Sequence, residues 1–101
     1  MNRREELQTM LEELIGNSNV YFQPPENLKL KYPCIVYSID DIHRLAADNK
    51  AYRWQHRYSL TYISTHPTDD MVDRLIELPL CSFDRAYTSD GLYHYNYTIY
   101  Y

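Results

Sequence analysis

A chain of 101 residues, 45% hydrophobic and 24% charged, builds one hydrophobic core and leaves no room for a second. Its formal net charge of -4 and pI near 5.4 exclude the overall basic character on which tight phosphate-backbone binding rests. With only 2 glycines there is no phosphate-cradling loop, and no apolar run approaches the ~20 residues of a membrane helix.

Residues 3–15 carry Leu7, Met10, Leu11, Leu14 and Ile15 at the spacing of one helix face. Glu5 and Glu6 sit at the positive end of that helix, and Gly16 supplies its stop. Residues 20–23 read as a short strand ended by Pro24-Pro25, which cannot continue a ladder. Residues 33–39, apolar and β-branched, form a second strand with substantial burial.

From Asp40 to Ala51 the pattern breaks into polar residues, with few apolar members, chiefly Ile42, Leu45, Ala46 and Ala47. This segment is expected to be a long, polar, mobile loop, or the extended tip of a β-hairpin. Residues 52–64 then alternate strictly: Trp54, His56, Tyr58, Leu60 and Tyr62 against Arg53, Gln55, Arg57, Ser59 and Thr61. A helix follows at 68–77, with Pro67 near its start, Asp69 and Asp70 in its first turn, and a stripe of Met71, Val72, Leu75 and Ile76. Pro79 ends it.

Two last strands, 80–87 and 92–101, flank Asp90-Gly91, a strong hairpin turn signal. In the final strand Tyr93, Tyr95, Tyr97, Ile99 and Tyr101 share one face, and His94, Asn96 and Thr98 the other. Aromatics carried to the last residue require neighbours to hold them, since free termini fray. The order α-β-β-β-α-β-β predicts an α+β domain. Its antiparallel sheet has two helices packed on one face and a polar, Tyr-lined face opposite. The 12 tyrosines, apolar rings with a polar tip, suit half-buried sheets and protein interfaces.

Chemistry is sparse. Asp40, Asp41 and His43 are competent metal donors, but no regular spacing fixes them, and His56 and His94 belong to other elements. Asp69-Asp70 is better explained by the helix dipole than by acid–base work. Cys34 and Cys81 lie in strand-like apolar contexts without metal-ligand spacing and read as buried free thiols. No leader-like segment opens the chain, so the protein is expected to be made in the cytosol. Neither an enzyme, a cofactor nor a metal site is expected.

Four collinear phrases carry a resemblance: Val20-Tyr21-Phe22-Gln23-Pro24-Pro25, Lys31-Tyr32-Pro33-Cys34-Ile35-Val36-Tyr37, Asp48-Asn49 before Tyr52, and Leu78-Pro79-Leu80-Cys81-Ser82-Phe83-Asp84-Arg85. Together they make the chain similar to the tail-terminator, or tail-completion, proteins of long-tailed bacteriophages. That resemblance implies a virion structural protein of the neck, assembled as a homo-oligomeric, hexameric ring. The ring would contact the tail tube protein and a head-closure or neck protein while duplex DNA passes through. Neck relatives such as head-closure or adaptor proteins, and a small non-viral protein-binding module, are the alternatives. The resemblance transfers no functional residue. The interface candidates Asp40, Asp41, His43, Arg44, Asp48, Asn49, Lys50, Tyr52 and Arg53 come from the charge and polarity of the 40–51 segment and its flank.

Overall fold

A computed structural model describes residues 3–47, 51–67 and 69–101. Helix α1 spans Arg3–Ile15, and its apolar stripe sends Leu7 and Leu11 fully into the core. It stops at Gly16, whose N–H donates to the Glu12 carbonyl at 2.9 Å and whose φ of +81° only glycine adopts without strain. Strands β1 (Val20–Phe22), β2 (Cys34–Ala47) and β3 (Ala51–Ser64) follow. Helix α2 (Met71–Ile76) then precedes strands β4 (Cys81–Ser89) and β5 (Leu92–Tyr100).

These strands form one sheet in the order β1-β2-β3-β5-β4. The α+β class and the element order are those the sequence predicts. The sheet is mixed, however, because β1 lies parallel to β2, pairing Val20 with Ile35 and Phe22 with Tyr37. The ten-odd residues between them, opened by Pro24-Pro25, are long enough to return the chain to its starting end. That makes the parallel pairing possible where a tight hairpin is not.

Both helices cover the same face. Leu7 and Leu11 of α1 and Met71 and Leu75 of α2 join one cluster with Ile35, Tyr37, Tyr58, Leu60, Tyr62, Tyr97 and Ile99. The registers make this a single sheet face, since Leu60 stands opposite both Tyr37 and Tyr97, and Tyr62 opposite both Ile35 and Tyr95. Tyr37, Tyr58, Tyr62 and Tyr97 therefore lie under the helices, which corrects the expectation of a Tyr-lined open face. Their hydroxyls are satisfied there: Tyr37 donates to Gln8 Oε1 at 2.6 Å, Tyr97 to the Val72 carbonyl at 2.9 Å, and Tyr62 to Asp69 Oδ2 at 2.6 Å. Edge contacts such as Tyr37–Tyr58, with ring centroids 5.8 Å apart, fill the layer between strands.

The turn between β4 and β5 is Asp90-Gly91, with φ of +54° and +75°, the backbone that a tight two-residue hairpin requires. The last residues are held as the sequence demands. Tyr101 N–H donates to the His56 carbonyl at 2.9 Å, and its own carbonyl accepts from Arg3 Nε at 2.7 Å.

Of the two expectations for the segment from Asp40, the extended β-hairpin is the one found, and the mobile loop is not. Asp41 to Ala47 pair residue by residue with Ala51 to Arg57, extending the β2–β3 hairpin far beyond the rest of the sheet. Polar composition is compatible with this because the backbone groups of the two strands pair with each other. Residues 48–50 lie outside the described residues. The molecule measures 51 × 25 × 22 Å, elongated by this ribbon.

Candidate functional site

The body of the sheet ends at Arg57 on the β5 side and at Tyr37 on the β1 side, so the ribbon beyond has no third strand. At its root the register slips between Ile39 and Asp41, and Asp40 is the extra residue of a β-bulge. The bulge turns two carboxylates toward one cation. Arg57 Nε donates to Asp40 Oδ2 at 3.0 Å, and its Nη2 stands 4.0 Å from Asp41 Oδ2. All three side chains are substantially exposed, so the pairing orients the root of the ribbon more than it stabilises the fold. Asp41 Oδ1 also accepts the Ile42 N–H at 2.8 Å, fixing the kink locally.

Beside these charges Ile39 and Ile42 are 39% and 49% exposed, and with Asp40 and Asp41 they line an open recess of about 350 Å³. An apolar pair framed by charges has the composition of a contact patch. Of the residues singled out from sequence, Asp40 and Asp41 are thus brought together. His43 stands opposite Gln55, Arg44 opposite Trp54, Arg53 opposite Leu45 and Tyr52 opposite Ala46 along the ribbon. Asp48, Asn49 and Lys50 fall outside the described residues. Arg57, Ile39 and Ile42 belong to the site and were not anticipated. Once 40–57 is read as one hairpin, antiparallel pairing puts Arg57 beside the two aspartates.

The open face of the sheet is polar. Ser38, Ser59 and Thr98 stand in one row, and Val36, Thr61 and Asn96 in the next. Thr61 Oγ1 donates to Asn96 Oδ1 at 2.9 Å, and Thr98 Oγ1 donates to Asp84 Oδ2 at 2.6 Å. On the β4 side Tyr87 stacks on His94 with centroids 4.8 Å apart, and the Arg85 guanidinium lies 4.8 Å above Tyr87. Thr61, Asn96 and Thr98 on this surface are already engaged in hydrogen bonds.

Nucleophilic and metal chemistry finds little footing. Cys34 and Cys81 are free, and burial pushes each thiol up to about 11, away from the reactive thiolate. Among the described residues no group of three or more His, Cys, Asp or Glu side chains converges as metal ligands would. Nor, among those residues, is any helix long and apolar enough to cross a membrane. No protein-family model, no curated protein and no solved structure matches the chain.

Proposed function

We propose that this chain is a virion structural subunit that forms a ring at the head-proximal end of a phage tail and joins the tail tube to the head. The observation that carries the reading is the ribbon. A compact α+β body extends a charged two-stranded arm with Ile39 and Ile42 uncovered at its root, and such an arm acquires partners only in an assembly. The collinear resemblance to tail-terminator proteins supplies the identity of the assembly. An acidic subunit suits a passage for DNA, because it attracts few phosphates and lets the duplex slide. The role is architectural rather than catalytic and uses no cofactor.

Two measurements test this. Labelled antibody against the protein should mark the head–tail junction in micrographs of virions, and the purified protein should show a ring mass, six subunits by the resemblance. Label on tailless heads would assign it to head closure instead, and a strictly monomeric protein absent from virions would overturn the reading. Duplex DNA should shift only weakly in a gel. Tight, salt-sensitive binding would contradict the free passage of DNA.

A further inference from the structure

The two edges of the sheet carry unlike surfaces. At the β1 edge, residues 24–33 leave β1 and return into β2, tied back by the Lys31 N–H, which donates to the Tyr21 hydroxyl at 3.3 Å. This segment exposes Leu28 and Tyr32, 43% and 40% accessible, with Lys29 and Lys31 exposed beside them. At the opposite edge, α2 and β4 bound a recess of about 260 Å³ lined by Val72, Asp73, Ile76, Phe83 and Tyr97. There Ile76, Phe83 and Leu80 are 40%, 46% and 62% accessible, and Asp73 and Glu77 are exposed. Strand β4 pairs only with β5, so its outer backbone is an open edge, and every residue from Ser82 to Ser89 is exposed.

Charge separates the two edges as well. Residues 24–33 hold Lys29 and Lys31 against Glu26, net +1, whereas residues 71–89 hold Asp73, Glu77 and Asp84 against Arg74 and Arg85, net -1. Among the described residues, Lys29, Lys31, Asp73 and Glu77 form no ion pair.

We infer that the 26–32 segment of one copy docks on the α2–β4 edge of a second copy. Leu28 and Tyr32 cover Ile76, Leu80 and Phe83, and Lys29 and Lys31 face Asp73 and Glu77. The inference rests on the ring proposed above and names its mating surfaces. A second copy is the occupant because one chain carries both complementary halves, at opposite edges. The contact is therefore heterologous: each copy offers its basic–apolar edge to one neighbour and its acidic–apolar edge to the other. Such a contact repeats around a ring and covers the Leu80–Phe83 end of the open β4 edge. An isologous pairing would set lysines against lysines or carboxylates against carboxylates.

Light scattering on the full chain, after size exclusion, tests this with four proteins whose folding is checked by circular dichroism. The native chain should assemble. K29E/K31E and D73K/E77K, each reversing one exposed edge, should both be monomeric, and the quadruple variant carrying all four changes should return to the native mass. Native assembly should also weaken as salt shortens the screening length from ~10 Å at 0.1 M to ~3 Å at 1 M. Assembly of either double variant at the native mass, or a folded quadruple variant that stays monomeric, overturns these surfaces and leaves the ring standing. A native chain that is monomeric at every concentration removes the ring itself.

Discussion

Asp69 makes three side-chain hydrogen bonds between β3 and α2. Its Oδ2 accepts from the Tyr62 hydroxyl at 2.6 Å and from Ser64 Oγ at 3.0 Å, while Oδ1 accepts the Met71 N–H at 3.0 Å. One carboxylate thereby joins the end of β3 to the start of α2, a stronger role than the dipole charge that the Asp69-Asp70 pair suggests by itself. The residue at the cap, Asp70, makes no side-chain capping bond. Burial works to raise the Asp69 carboxyl, but the three donors outweigh it and hold the group below its ordinary value. The folded value thus lies below the unfolded value near ~3.9, so the stabilisation is complete above about pH 4 and is lost as pH falls through the folded value. Asp69→Ala strands two hydroxyls and an N–H, and urea titration should show a loss of about 2–3 kcal/mol at neutral pH. The variant's stability should also fall less steeply in acid than that of the native chain. A loss below ~0.5 kcal/mol would mean that water replaces the carboxylate and that the junction is not set by Asp69.

At the scale of elements, periodicity decided most of what is correct. The helix at Arg3–Ile15, the strict alternation of β3 and the Asp-Gly hairpin are local patterns, and each fell where the sequence puts it. Alternation says which residues share a sheet face but not which face the helices cover, so the sequence alone does not put the tyrosines under the helices. Their real position under α1 and α2 has a consequence in alkali. Burial raises the hydroxyls of Tyr37, Tyr58, Tyr62 and Tyr97 above the ordinary tyrosine value. Protons are therefore held more tightly in the folded state. Their contribution is intact below about pH 10, where unfolded tyrosine begins to ionise, and declines as pH rises beyond it. Each buried ring should remove about 1.4 kcal/mol per pH unit in that window, so unfolding followed by the tyrosinate absorbance should be cooperative and steep. Tyr97→Phe, which gives up only the bond to the Val72 carbonyl, should make the decline shallower by one group's share. The helix layer itself is tested by Leu11→Asp. Leu11 is wholly buried, and an unpaired carboxylate there should cost several kcal/mol and unfold the domain. A folded variant that fails only to assemble would move α1 from the core to an interface.

At the scale of the whole molecule, the register of the ribbon is what the sequence hid, and with it the choice between a loop and a hairpin tip. The polar residues of the ribbon read equally as a loop. The distinguishing information is the long-range register that sets Asp41 against Arg57 and Ala47 against Ala51. The same nonlocality concealed Arg57 as the partner of Asp40, seventeen positions away. The ribbon should be the least stable part of the fold. Among the described residues, 41–47 pair only with β3 and 51–55 only with β2. By contrast, β3 is also held on its other side from His56, whose carbonyl accepts the Tyr101 N–H, and is flanked by both β2 and β5 from Arg57 onward. A two-stranded hairpin in water is marginal by itself, so these amides open without unfolding the body. In the free subunit they should exchange at least ten times faster than those of residues 58–63, a difference of more than about 1.4 kcal/mol. In assembled tails the ribbon gains neighbours, and its exchange should slow toward that of the body while residues 58–63 change little. Mass-spectrometric exchange on both samples, read over peptides from 41–47 and 51–55, makes the comparison directly. Equal protection of these peptides before and after assembly would mean that the arm projects into solvent in the virion. Ile39 and Ile42 would then need another reason to be exposed.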